Sequence, residues 1–551
     1  MIKAIPEKEN LSIEFKSDLT CLPDNEIIDA VVALSNTDGG ELFLGVEDDG
    51  TPTGIHKDHR DITRLSAFIA NHTVPPVSVR VEIIDHDSAP VIRIAVPKSM
   101  TGIIASVSGK VLRRRIKADG SPESVPMYPA EQASRLSDLR MVDYSSVILT
   151  EASCDDFDPL ELERLRNAIQ SYDGEKKLLD LSDSELYKAL GLCREYAGQL
   201  IPTLTGILLL GKAKRIKSLV PTHSVSFQAL TGTIVRINDD FVLPILAAVE
   251  KLNAYLDAWN TNNEIELGMF RMSAPDFDKR AIREAIINAF AHRDYTRLGR
   301  IRVAVSDEGL TIANPGGFIE GVNLNNLLTV EPHGRNPNLA DALKRIGLAE
   351  RTERGIDRIF EGSLIYGRLL PDYSNTTDVT VSLLLPRSKP DSQIAQMIAN
   401  EQNRLGRPLS INTLLILNAL RDAPRSTVHQ IAEYVNLSET IVRVELEQSI
   451  SNGLVEAIGA GRGRTFILSH TVYKAKGQSA GYVRQKDIDK TRYLELILEM
   501  ARNNRFISRA DVVSLLHVNE SQAYLLLKRL ADDGKVTPVN KGRYSKYAWN
   551  G

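Results

Sequence analysis

Two periodicities divide the chain. Alternation with period two over residues 11–16, 77–85 and 90–97 predicts strands, the last two as a hairpin, and the apolar run at 40–46 reads as a buried strand. Helical spacing covers residues 25–35 and 129–139, and V-L-R-R-R-I at 111–116 gives one more strand. An α+β domain over residues 1–138 follows. From 159 to 192 the spacing is helical, with Ser182 as an N-cap before Asp183, Ser184 and Glu185. Residues 204–210 are an apolar run that periodicity leaves open as strand or buried helix. Residues 225–229 read as a strand, 244–259 as an amphipathic helix and 379–385 as a closing strand. These patterns predict a mainly helical connector over 139–224, a second domain over 225–390, and a polar, partly helical linker over 391–408.

The remaining residues carry two similar blocks. The first, over 409–472, has helical spacing at 411–420, 427–434 and 439–452, then a hairpin at 455–468 with Gly-Arg-Gly-Arg at its tip. The second, over 485–551, repeats the order with helices at 491–501, 509–516 and 520–531 and a hairpin at 535–549. Helix, helix, turn, helix, hairpin is the winged helix-turn-helix pattern, here in tandem. The expected fold class is α+β, multidomain.

Composition narrows this picture. A chain of 551 residues, 43% hydrophobic and 25% charged, suits several folded, soluble domains. No run of ~18 apolar residues marks a membrane span, and the first residues lack a secretory apolar core. Cys21, Cys154 and Cys193 are scattered, which suits inert thiols in a reducing cytoplasm. The net charge of -4 means that any nucleic-acid contact must come from local basic patches. No G-x-x-x-x-G-K-[ST] loop is present, which excludes P-loop chemistry.

Candidate chemistry concentrates in two places. In R-E-A-I-I-N-A-F-A-H-R-D-Y, residues 283–295, Glu284 and Asn288 lie one helical turn apart on one face, with Ala285, Ile286, Ala289 and Phe290 on an apolar side. A carboxylate and an amide so placed can hold a magnesium ion and a water against a triphosphate. Taken alone, the pair also fits a solvated helix edge. A hairpin over 300–313 follows and ends in Asn314-Pro315-Gly316-Gly317, where backbone can approach a nucleotide closely. At the N-terminus, Glu9 and Glu14 flank a strand on which Lys16 shares the face of Glu14, and Glu47, Asp48 and Asp49 follow the buried strand. Were the strands paired, these acids would converge on a divalent ion, with Lys16 assisting at a scissile phosphate; the alternative is strand-end acids facing water. Arg113, Arg114, Arg115 and Lys117 offer a phosphate groove or a solvated edge. His56 and His59, in H-K-D-H, read as a solvated loop before a metal site.

The segment with E-x-x-x-N, H-R-D-Y, the N-P-G-G hairpin, Arg335-Asn336-Pro337, Gly347-Leu348 and Gly355-Ile356 resembles the divergent GHKL-type (Bergerat) ATP-binding module. Thr203 to Lys212, T-L-T-G-I-L-L-L-G-K, is similar to the family's preceding segment. E-x-x-x-x-E-F-K, S-N-T-D-G-G and G-V-E-D-D-G are similar to the Schlafen (AlbA-like) core. The first resemblance implies ATP and Mg²⁺ as cofactors, with Asn288 on the metal, Glu284 as the base, and Asn314, Gly316, Gly317, Arg335 and Gly355 around the nucleotide. Asn314 stands where the wider superfamily has an adenine-reading aspartate, and the second glycine box is reduced to Thr352-Glu353-Arg354-Gly355, so binding is expected over fast hydrolysis. The second resemblance implies a metal-dependent (Mg²⁺ or Mn²⁺) transfer-RNA endonuclease with Glu9, Glu14 and Glu47 as metal ligands and catalytic acids, in defence against phage or stress. The other reading is an ATP-binding, DNA-binding regulator that does not cut. RNA would lie on the N-terminal domain. DNA would lie on the winged helices through Arg443, Arg462 and Arg464 in the first and Lys528, Arg529, Lys541, Arg543 and Lys546 in the second. A homo-oligomer is expected from the habits of both module types.

Overall fold

The computed structural model describes residues 5–85, 89–139, 141–172, 174–267, 270–331, 334–349, 355–459, 461, 464–469, 490–504, 506–516, 520–539 and 546–550. The N-terminal unit runs β1 (Ile13–Lys16), α1 (Asp24–Ser35), β2 (Gly40–Leu44), α2 (Ile62–His72), β3 (Thr73–Val74), β4 (Arg80–Ile84), β5 (Val91–Val96), β6 (Ala105–Ser106), β7 (Leu112–Ile116), β8 (Pro122–Pro126) and α3 (Pro129–Asp138). The main sheet has order β1-β2-β5-β4, with β1 and β2 parallel across the α1 crossover. Asp24 and Glu26 sit in the first turn of α1, where the helix dipole favours them, and Ile27, Val31 and Leu34 bury its inner face. Gly40 has φ +143°, and a Cβ there would come within 2.1 Å of the Ser12 carbonyl oxygen. Glycine is therefore required where the β2 entry passes β1.

Residues 139–224 contain α4 (Pro159–Ser171), α5 (Asp183–Ala189), β9 (Cys193–Tyr196), β10 (Gln199–Pro202), α6 (Leu204–Leu210) and α7 (Ala213–Leu219). The Glu185 carboxylate accepts from the Ser182 backbone N–H at 2.9 Å at the start of α5. The ambiguous apolar run is helix α6, capped by Thr203, and every residue in it is buried. This region does not stand apart as a connector: Leu165, Ile169 and Leu208 belong to one continuous hydrophobic core with Phe227, Ile286 and Val303.

That core continues through β11 (Val225–Thr231), β12 (Ile234–Phe241), α8 (Ile245–Trp259), β13 (Asn262–Leu267), β14 (Phe270–Pro275), α9 (Lys279–Ala291), β15 (Ile301–Val305), β16 (Gly309–Pro315), α10 (Pro337–Ile346), α11 (Gly355–Leu364) and β17 (Thr380–Pro386). The sheet order is β12-β11-β15-β16-β17, with β11 and β15 parallel. The polar, partly helical linker expected here is helix α12 (Ser392–Leu405). Asp391 caps it, and the row Ile394, Met397, Ile398 at i, i+3, i+4 is buried.

Two compact units close the chain. The first is α13 (Ile411–Asp422), β18 (Ser426–Thr427), α14 (Val428–Val435), α15 (Glu439–Ser451), β19 (Val455–Ile458) and β20 (Thr465–Leu468). The second is α16 (Lys490–Asn503), β21 (Ile507–Ser508), α17 (Arg509–Leu516), α18 (Glu520–Asp532), β22 (Val536–Pro538) and β23 (Lys546–Trp549). Each has a three-stranded sheet with the same order of connection, β18-β20-β19 and β21-β23-β22. The first shares the large core, whereas the second has its own, around Ile497, Val512 and Leu527. Among the described residues no helix is long and apolar enough to cross a membrane.

Candidate functional site

A cavity of about 560 Å³ opens between α9, β16, α10 and α11. Its volume falls within the usual range for small-molecule sites. Asp278 caps α9 through the Arg280 and Ala281 N–H groups, which starts the helix so that Glu284 and Asn288 both reach the cavity. Asn314, Gly317 and Gly355 line it too. Gly355 opens α11, and a Cβ there would come within 2.1 Å of Glu284 Oε1. The helix N-terminus thus approaches the carboxylate as closely as backbone allows, where its dipole favours negative charge. Glu284 is buried, and burial together with the Glu284 charge raises the pKa of the neighbouring Tyr373 phenol. The lining also includes His292 and Lys344, which sequence reading passed over. Ala340 and Lys344 both face the cavity, and their four-residue spacing on α10 was the available signal.

Two of the expected nucleotide contacts lie away from the cavity lining. Arg335 is 3% exposed and does not line the cavity. Its guanidinium lies 2.6 Å from Asp138 at the end of α3 and donates to the carbonyl oxygens of His292 and Gly317. Gly316, at φ +100°, is needed because a Cβ would come within 2.3 Å of that guanidinium. Both residues build an interdomain joint. Ser134 on α3 donates to Asp294 at 2.6 Å, and Ser137 to the Arg335 carbonyl at 3.2 Å. Burial raises the Asp294 carboxyl, but hydrogen bonds from Ser134 and Thr296 and the Arg335 charge outweigh it and hold its pKa below the ordinary value. The cavity-lining loop that starts at Gly317 is tied to the N-terminal unit and to the first C-terminal unit. Glu320 pairs with Lys98 at 2.9 Å and with Arg135, both in the N-terminal unit. The Asn325 carbonyl accepts from the Asn436 amide of the first C-terminal unit.

The N-terminal acids do not converge as expected. Glu9 Oε1 accepts from the Phe15 N–H at 2.7 Å, and Glu14 pairs with Lys16 at 2.9 Å and with the buried Arg114. Glu47 Oε1 accepts from the hydroxyls of Ser17 at 2.7 Å and Thr53 at 2.6 Å, and Asp48 is exposed. Among the described residues, Glu9, Glu14 and Glu47 do not bring ligand atoms within 4.8 Å of one another. Each acid instead has a hydrogen-bond or charge partner, and the Arg114 charge acts on both Glu14 and Glu9, so the metal assignment is not supported by their placement.

The basic candidates divide in the same way. Arg114 is buried and donates to the carbonyls of Asn10 and Ile13, so it is withdrawn from any phosphate. Arg113 pairs with Glu131, and Arg115 with Glu123 at 2.6 Å; Arg115 and Lys117 are exposed on the β7–β8 hairpin. In the first C-terminal unit Arg443 pairs with Glu439 at 3.0 Å and Arg464 with Glu447 at 2.6 Å. The acids of α15 thus pair with Arg443 and Arg464, two of the three cations expected to meet DNA. In the second unit Lys528, Arg529 and Lys546 are exposed. Arg462, Lys541 and Arg543 lie outside the described residues.

Residues 9–119 match the family model described as "Schlafen, AlbA_2", and residues 133–226 match "Domain of unknown function (DUF8451)". Residues 299–383 match "Putative ATP-dependent DNA helicase recG C-terminal". No curated protein matches the chain. Among solved structures, the DIP2311 protein from Corynebacterium diphtheriae is similar, with a TM-score of 0.51 at 21% identity, covering 85% of this chain and 94% of that one. At that identity the likeness speaks to the fold. The chain therefore carries a Schlafen/AlbA_2 domain and a recG C-terminal-type domain in a mixed α+β multidomain architecture.

Proposed function

We propose that this chain is an ATP-responsive nucleic-acid-binding regulator, in which a divergent GHKL-type site senses nucleotide and the flanking domains grip nucleic acid. The observation that carries the reading is the cavity with Glu284 and Asn288 on one helical edge, under a loop tied to both neighbouring units through Glu320 and Asn325. A ligand that moves this loop changes both attachments, which is what a sensor requires. Asn288 would hold Mg²⁺ and Glu284 would polarise water; the ion would neutralise phosphate charge. The Schlafen/AlbA_2 match supports nucleic-acid binding by the N-terminal domain, with Lys117 among its exposed cations. The two C-terminal units fit tandem winged helices. The second, with Lys528, Arg529 and Lys546 exposed, is the better DNA reader, and the first docks protein.

The engagement of Glu9, Glu14 and Glu47 by protein groups, Arg114 among them, favours binding over endonuclease chemistry. Two measurements test the proposal. Calorimetry should show magnesium-dependent ATP binding that Asn288→Ala abolishes; unchanged affinity in the variant would sink the site. Incubation with transfer RNA and Mn²⁺ should leave the RNA intact. Cleavage that Glu14→Ala removes would restore the nuclease reading.

A further inference from the structure

The loop after β1 and the loop after β2 meet at a cluster that the nucleotide and nucleic-acid readings leave unused. Cys21, His56 and Asp58 each offer a ligand atom, and these atoms lie within 4.8 Å of one another. His56 Nδ1 stands 3.4 Å from Asp58 Oδ2. Two ligands of a tetrahedral zinc ion with bonds of about 2.0–2.1 Å are separated by about 3.3 Å.

The cluster is held from beneath. Asp18 is fully buried and accepts from the backbone N–H of Leu22 at 2.9 Å and of His56 at 2.7 Å. It thereby fixes the two ligand-bearing loops to each other. Asp18 also faces His59 Nδ1 at 2.9 Å, and His59 Nε2 lies 3.9 Å from Asp24. Cys21 has φ +58°, a left-handed conformation that non-glycine residues adopt at a cost unless the surroundings impose it.

We infer that Cys21, His56 and Asp58 form a binding site for a thiophilic divalent ion of the zinc class. Three protein ligands with the fourth position open to solvent is a known zinc arrangement. A carboxylate-anchored loop pair supplies the support that such ligands need. The ion would clip the β1–α1 loop to the β2–α2 loop and neutralise the Cys21 thiolate and the Asp58 carboxylate. The site is independent of the nucleotide cavity.

Cobalt titration of the metal-stripped full chain tests this. One equivalent of Co²⁺ should produce a thiolate-to-cobalt charge-transfer band in the near ultraviolet, and added Zn²⁺ should bleach it. Cys21→Ser should remove the band, and His56→Ala and Asp58→Asn should each weaken Co²⁺ binding by at least tenfold. Asp58 is exposed, so its variant reports on ligation without a folding penalty. Asn288→Ala should leave the band unchanged. No band in the wild type, a band that survives Cys21→Ser, or wild-type affinity in both His56→Ala and Asp58→Asn would overturn the site.

Discussion

His223 shows how far a single environment can bend a residue's chemistry. It is fully buried beside Phe290 and Tyr295, and its Nε2 lies 2.9 Å from the Leu243 carbonyl. Burial lowers its pKa from 6.5 to about 4; the Leu243 carbonyl opposes the shift and the Arg293 charge adds to it. The folded state therefore resists a proton that the unfolded chain accepts below pH 6.5. Stability from this group is fully present above pH 6.5 and is lost as pH falls towards 4, by roughly 3 kcal/mol at most. Urea unfolding at pH 7.5 and pH 5 should show an acid loss that is smaller in His223→Gln. Equal losses in both proteins would remove His223 from the account. The same scale explains Arg114 and Arg335, two arginines in basic or phosphate-site contexts that the fold consumes in buried carboxylate pairs.

At the scale of elements, α9 and α12 make a contrast. The face of α9 was legible because Glu284 and Asn288 sit four apart amid a clear apolar row. Helix α12 was obscured by its polar surface, although Ile394, Met397 and Ile398 already held the helical spacing. Its inner face makes it part of the core, so Ile394→Ala should cost about 2–5 kcal/mol, measurable as a lowered denaturation midpoint. A cost below about 0.5 kcal/mol, the size of a surface change, would mean that α12 is a tether after all. Residues 204–210 show the limit of periodicity: a short wholly apolar run fits strand and buried helix equally. Packing decided for helix α6, with Gly206 so close to the Leu192 carbonyl that a Cβ would come within 2.0 Å of it.

At the scale of the molecule, the Glu320 pairs matter most. They join the cavity-lining loop to Lys98 and Arg135 of the N-terminal unit. If nucleotide state is transmitted there, ATP should change nucleic-acid affinity by roughly 5–150-fold, a coupling of about 1–3 kcal/mol. Glu320→Gln should reduce that factor towards one while ATP still binds. Fluorescence anisotropy with and without ATP measures it, and full coupling in the variant would exclude this route.

The sequence alone determined most of the local elements and the edge of α9, because helix and strand periods and four-residue spacing are short-range properties. It also determined the tandem repeat of the C-terminal order. Tertiary structure decided which charges remain available. Asp138 and Arg335 are 197 residues apart in the chain, and Glu14 meets Arg114 only when β7 packs against α1. Burial and pairing over such separations set whether a guanidinium grips phosphate or a carboxylate holds metal, and no local spacing encodes them.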